Sequence, residues 1–249
     1  MGKGDLPVTS SLPLIGCAGW SLPREQWPWF PSEGSHLQRY AGRLRCVEIN
    51  SSFYRPHRPA TYARWADSVP SEFRFSVKVP KLITHTQRLI DCTEALDEFL
   101  AQCTVLGERL GCLLVQLPPS LRYEPVLAQR FFSLLRERFE GQVVLEPRHA
   151  SWTAAGPLLE EQRIAQAVVD PSRISTDQAP TGWPGLAYWR LHGSPQIYHD
   201  AYGPARIAQI VRSLRAAHEQ AQEVWCIFDN TASGAAVADA LLTQHAVGG

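Results

Sequence analysis

The stretch Val143–Trp152, VVLEPRHASW, is an apolar run that ends in Glu146, Arg148 and His149. Buried without partners, such groups carry a large desolvation cost, so their place at the end of a strand-like run points to a polar site. A carboxylate or imidazole there can move a proton, and a guanidinium can grip a carboxylate or phosphate with two prongs. Other runs end the same way. CVEIN supplies Glu48 and Asn50, RFSVKVP supplies Lys78, LLVQLP supplies Gln116, and YWRLHG supplies Arg190 and His192. Glu48, Lys78, Glu146 and His192 are the candidate acid–base groups. Asn50, Tyr54, Gln116, Arg148, His149, Trp152, Arg190 and Asn230 are the candidate ligand contacts.

Lys78, Arg148 and Arg190 converging on one place predict a small anionic ligand, phosphorylated or carboxylated, taken by an enzyme of the hydrolase, lyase or isomerase class, with a non-catalytic anion-binding protein as an alternative. The His192-Gly193-Ser194 turn and the helix start near Asn230–Gly234 would add backbone N–H groups for a phosphate, although a helix cap at Asn230 or Ser233 explains those residues equally well. A purely structural network, in which Glu48, Glu146 and Asp170 neutralise the three cations, is the competing reading. Glu48, Glu146, Asp170, His192 and Asp229 are also ligand types of metal-dependent phosphodiesterases. Three nearby cations oppose a metal, so no cofactor is expected and a divalent metal is the lesser alternative. His85 after Thr84 reads as a loop-fixing residue. Trp20, Phe53, Tyr54 and Trp152 fall near the expected mouth, whereas Trp65, Phe99, Phe131 and Phe132 have core spacing.

The elements that must position these groups alternate. Strands are expected at Leu14–Trp20, Cys46–Tyr54 (running into its loop), Arg74–Pro80, Cys112–Pro118, Gln142–Arg148, Ala165–Asp170, Leu186–Gly193 and Val224–Asn230. Helices are expected at His36–Arg43, Ala60–Val69, Asp91–Gly107, Pro125–Phe139, Pro204–Gln220 and Ser233–His245, while the Trp27–Pro31 cluster is too proline-rich for one. Pro171–Pro184 shows no periodicity, so the sixth helix is short or replaced by a loop. This count predicts a TIM-type (β/α)8 barrel over residues 13–249, after a flexible segment 1–12. An open doubly wound sheet is disfavoured because neither of its glycine-rich phosphate fingerprints follows the first strand.

Side chains alternate across a strand, so parity can be tested. Glu48 and Asn50 oppose Val47 and Ile49; Ser76 and Lys78 oppose Phe75 and Val77; Gln116 opposes Val115 and Leu117. Glu146 and Arg148 oppose Val143 and Leu145, Asp170 opposes Val169, and Arg190 and His192 oppose Trp189 and Leu191. Six strands therefore each send a polar face inward, with the polar groups near their C-terminal ends, where barrel enzymes keep their sites.

In 249 residues, 24 Lys and Arg balance 24 Asp and Glu, so no overall field draws the chain to nucleic acid or an anionic membrane. The RERF and RYAGRLR clusters read as solvated faces. Six cysteines without a C-x-x-C pair read as reduced, buried thiols, and with no signal-like or membrane-length apolar run the expected compartment is the cytoplasm. Oligomeric state is not legible.

CVEINSSFY, FRFSVKVPKLITH, LLVQLPPSL, VVLEPRHASW, YWRLHG and FDN, in this order from about Ile15 to Gln244, resemble the YecE-like family, catalogued as domain of unknown function seventy-two. The resemblance implies a TIM-type barrel and no settled activity. The residues it carries over are Glu48, Asn50, Phe53, Tyr54, Lys78, Thr84, His85, Gln116, Glu146, Arg148, His149, Trp152, Arg190, His192 and Gly193. The chain departs at Asp229, where similar sequences commonly place Asn, so a neutral amide is not expected there.

Overall fold

The computed structural model describes residues 12–172, 174 and 179–248. The segment 1–12 expected to be flexible lies, apart from Leu12, outside the described residues. The strands are β1 (Leu14–Ala18), β2 (Cys46–Ile49), β3 (Arg74–Lys78), β4 (Leu110–Gln116), β5 (Gln142–Glu146), β6 (Ile164–Gln166), β7 (Val168–Asp170), β8 (Thr181–Gly182), β9 (Leu186–Leu191) and β10 (Glu223–Phe228). The helices are α1 (His36–Ala41), α2 (Ser51–Tyr54), α3 (Pro59–Asp67), α4 (Thr93–Cys103), α5 (Pro125–Arg138), α6 (Gly156–Glu161), α7 (Pro204–His218) and α8 (Ala235–Gly248).

The fold is the expected TIM-type barrel. Its sixth stave is split at Ala167: β6 pairs with β5, while β7 pairs with β9 and closes the ring through β10 to β1. All these ladders are parallel, as crossover helices require. Between Asp170 and Leu186 no helix occurs among the described residues. The two-residue β8 instead runs antiparallel to β6. The Trp27–Pro31 cluster departs from expectation, because a 3-10 helix spans Arg24–Trp29 with Pro28 inside it. Its ends are closed by Gln26 N donating to the Pro23 carbonyl and Phe30 N to the Trp27 carbonyl, neither of which calls on the N–H that Pro28 lacks.

Alternation along the strands builds two apolar layers. Val47, Ile49, Phe75, Val77, Val115, Leu117, Val143, Leu145, Trp189 and Leu191 face the helices. Leu14, Cys46, Cys112, Leu114, Val144, Ala165, Leu186, Tyr188, Trp225 and Ile227 fill the barrel below the mouth, with Tyr188 and Trp225 stacked at 5.8 Å. That plug is dry, so the polar layer above it opens only upward. All six cysteines are free and buried, and burial pushes the Cys17 thiol up to about 12.

Parity holds for five of the six polar strands and fails for the sixth. Val169 packs with the interior layer, whereas Asp170 turns outward and its Oδ1 accepts from Arg206 Nη2 of α7 at 2.8 Å. Asp170 is therefore no part of the mouth.

Gly16 on β1 has no room for a side chain, because a Cβ would lie 2.1 Å from the Cys46 carbonyl oxygen across the β1–β2 ladder. Backbone cannot yield there. Gly16→Ala is expected to cost about 3 kcal/mol in urea unfolding; an unchanged midpoint would show that these two staves are not so closely apposed.

Candidate active site

Arg190, the fifth residue of β9, is fully buried and forms the centre of the mouth. Its Nε and Nη2 donate to Glu48 Oε2 and Oε1 at 3.0 and 2.7 Å, a two-pronged contact across the barrel from β2. Nη1 donates to Glu146 Oε2 at 2.5 Å from β5, and Nη2 also donates to Asp229 Oδ2 at 2.9 Å, one residue beyond β10. One guanidinium thus ties three staves to its own. Below it the Tyr188 hydroxyl donates to Glu48 Oε2 and lies 2.9 Å from Ser76 Oγ.

The cluster continues outward. Arg148 Nε donates to Glu146 Oε1 at 2.7 Å; among the described residues its terminal nitrogens make no ion pair, and the Tyr198 phenol is a hydrogen-bond partner of the guanidinium. His192 sets Nδ1 3.0 Å from Asp229 Oδ2 in an ion-pair contact too bent for a good hydrogen bond, and Nε2 stands 3.9 Å from Glu146 Oε1. Burial alone would raise the Glu146 and Asp229 carboxyls. Arg190, with Arg148 at Glu146 and His192 at Asp229, overrides it, lowering the Asp229 carboxyl and holding Glu146 well below the usual carboxylate range. Glu146 is therefore held as an anion at neutral pH.

Lys78 differs from the arginines. At 7% exposure on the inward face of β3, its Nζ makes no hydrogen bond or ion pair among the described residues and rests 4.3 Å from the Phe53 ring centroid. Burial first, then the Arg190 charge, push its ammonium down to about 8 despite the attraction of Glu48, Glu146 and Asp229. Gln116 lies beside it on β4, buried and without a hydrogen-bond partner among the described residues.

Two recesses flank the cluster. One of about 130 Å3 is lined by Arg148, His192 and Tyr198 over the sixth stave. The other, of about 350 Å3, is lined by Trp20, His36, Glu48 and Asn50, and the Asn50 Oδ1 is buried without a partner. Among the described residues no group of three His, Cys, Asp or Glu is placed to hold a metal ion.

Glu48, Asn50, Lys78, Gln116, Glu146, Arg148, Arg190 and His192 are thus brought together, and four other candidates are not. Tyr54 is 77% exposed on the outer rim, edge-on to Phe53. His149 caps the turn Ala150–Ala155, its Nδ1 accepting from Ser151 N at 3.1 Å. Trp152 is buried on the helix side against Phe132 and Tyr123, where Nε1 donates to the Leu121 carbonyl. Asn230 is fully buried and donates to Asp239 Oδ2 and the Asp200 carbonyl, which anchors α8 to the loop after β9. These four side chains already serve rim, cap or packing, so none is aimed at the cluster. The expected phosphate turn is likewise committed, since Gly193 N donates to the Tyr202 hydroxyl. His85 does fix its loop, through Thr84 Oγ1 at 2.9 Å.

Sequence reading missed Tyr188 and Tyr198, and weighed Asp229 only as a metal-ligand type and a departure from the family. Its place in the cluster was legible, because it shares parity with Trp225 and Ile227, which face inward. Tyr198 was not; it lies on the loop after β9, with a left-handed backbone (φ 72°) that sets its ring edge-on to His192 at 5.3 Å.

Residues 14–249 match the family model described as "Protein of unknown function DUF72". The chain is 33% identical over 170 residues to UPF0759 protein YecE of Escherichia coli, a stretch that covers 67% of this chain and 59% of that protein. It is 23% identical over 259 residues to UPF0759 protein YunF of Bacillus subtilis, covering 88% and 89%. Its fold is shared with a solved DUF72 family protein from Thermotoga maritima (TM-score 0.80, 23% identity, 96% and 100% covered) and with one from Enterococcus faecalis (TM-score 0.79, 22% identity, 94% and 94% covered). No helix among the described residues is long and apolar enough to cross a membrane.

The depressed Lys78 pKa has a stability consequence. Below about pH 8 the ammonium is charged in both states and its burial cost is present in full; from 8 to the usual 10.5 the folded chain sheds a proton that the unfolded chain keeps, so stability rises. Lys78→Met is therefore expected to melt several degrees higher than the parent at pH 7, with the gap closing by pH 10.5. A parent as stable as the variant at pH 7 would mean that the ammonium is not buried at a cost.

Proposed function

The chain belongs to the DUF72 family of proteins of unknown function, and on that premise we propose that it is an enzyme taking a small phosphorylated or carboxylated ligand at the mouth of its barrel. One observation carries the reading: every carboxylate of the cluster already accepts from Arg190, yet among the described residues the Lys78 ammonium makes no ion pair and Arg148 keeps two terminal nitrogens outside any. The cluster's charges balance, but its donors do not, and an anion brings the missing acceptors. Gln116 and the Asn50 Oδ1 supply neutral polar contacts on either side.

His192 is the proton carrier of this reading. Its ring lines the recess beside Arg148, with Asp229, kept ionised, 3.0 Å from Nδ1, and with Nε2 buried 3.9 Å from Glu146 Oε1 and without a hydrogen-bond partner among the described residues. Glu48 and Glu146 hold Arg190 and act on the reaction through its charge. A metal-dependent phosphodiesterase fits less well, because a metal needs carboxylate lone pairs that here are directed at a guanidinium.

A thermal-shift screen of small phosphorylated and carboxylated metabolites tests this. A ligand at a hundred times its Kd stabilises by about 2.7 kcal/mol, so at least one compound should raise Tm clearly. The shift should vanish in Lys78→Met and Arg148→Met, and turnover should be lost in His192→Asn with binding kept. A panel without effect on the parent protein, or shifts that survive both substitutions, would contradict the reading; unchanged turnover in His192→Asn would rule out His192 as the proton carrier, and binding without turnover in the parent would mark a non-catalytic anion-binding protein.

A further inference from the structure

We propose that Lys78 is the nucleophile of the site and condenses through its ε-amine with the carbonyl carbon of the substrate, which is therefore a 2-oxo acid or an aldehyde or ketone bearing a phosphate. The inference rests on the anion-binding reading above and narrows it, with Arg148 receiving the acidic group and Lys78 the carbonyl.

Three observations converge on Lys78. The first is its isolation: in a cluster where Arg148 and Arg190 are each held by carboxylates, Nζ makes no hydrogen bond or ion pair among the described residues and rests on the face of Phe53, itself fixed edge-on by His85 at 5.0 Å. An ammonium kept for charge alone would be expected to sit against one of three carboxylates in the same mouth. The second is composition. Only three of the 24 basic residues are lysines, Lys3, Lys78 and Lys81, so arginine is this chain's ordinary cation. Arginine cannot give up its proton, whereas a buried lysine can, and the one lysine inside the barrel stands where only that difference is useful. The third is the environment: burial beside the Arg190 charge favours the free amine, and a fall from 10.5 to about 8 raises the neutral fraction at pH 7 by roughly two orders of magnitude.

The step balances without an outside oxidant or reductant. The Nζ lone pair forms the bond to the carbonyl carbon, the carbonyl oxygen takes up protons and leaves as water, and a protonated imine remains. The electron pair of a neighbouring C–H bond can then flow into the imine to give an enamine, its proton passing to His192; His192 returns a proton to that carbon, and water adds to the regenerated imine to restore the carbonyl and the free lysine. Isomerisation or carbon–carbon cleavage are the reaction classes this opens.

The test is reductive trapping on the full chain. The protein is mixed separately with pyruvate, glyoxylate and dihydroxyacetone phosphate, treated with borohydride, and mapped by peptide mass spectrometry. The other two lysines serve as internal controls, Lys81 being exposed. A reduced adduct at Lys78 exceeding that at Lys81 and Lys3 by at least about ten-fold with one of the probes is expected, together with its loss in Lys78→Arg, which keeps the charge. Probes that raise Tm but leave Lys78 no more modified than the controls would overturn the imine and leave the anion reading standing. Probes that neither bind nor modify, in a panel where no other anion binds either, would overturn both.

Discussion

The barrel mouth depends on a single buried guanidinium. Arg190 reaches Glu48, Glu146 and Asp229, so strands that lie far apart in the sequence are held to one centre by charge-assisted bonds. A buried ion network contributes little net stability compared with apolar packing, but removing one member leaves an uncompensated charge, so the arrangement is all-or-none. Its geometric fork fixes where each carboxylate points. Its charge, with that of Arg148 beside it, also keeps Glu146 an anion near neutral pH.

The rest of the site follows from that commitment. With the acids of the mouth turned toward one arginine, Lys78 is left beside charges that it does not contact, on a floor of Phe53 and the dry interior layer. A buried cation without a partner works against folding, and the chain keeps it at a position where its removal costs no packing contact with a carboxylate. Sites that oppose stability in this way are where chemistry is usually found. His192 occupies the complementary place, oriented by Asp229 and open to the recess under Tyr198.

Much of this was legible in the sequence because a strand alternates with a period of two. Parity placed Glu48, Lys78, Gln116, Glu146 and Arg190 inside the barrel, and the structure has them there. It misled at Asp170, because polarity was taken to mean inward and its partner, Arg206, lies 36 residues later on α7. Alternation also stops reporting once a strand ends. Trp152 and Asn230, just past their strands, were read as lining the mouth, yet one packs under α5 and the other anchors α8. Which cations find acids is a matter of three-dimensional pairing, so three converging positive residues suggested a general attraction for anions, where the structure leaves specific unmet donors on Lys78 and Arg148.

The most direct test is nuclear magnetic resonance of protein carrying isotope-labelled lysine, since a chain with three lysines gives three side-chain signals. The Lys78 signal, identified by its disappearance in Lys78→Arg, should titrate at about 8. Titration near the usual 10.5 would mean that its ammonium is solvated or paired, and would contradict the assignment of this mouth as a site built around an unpartnered amine.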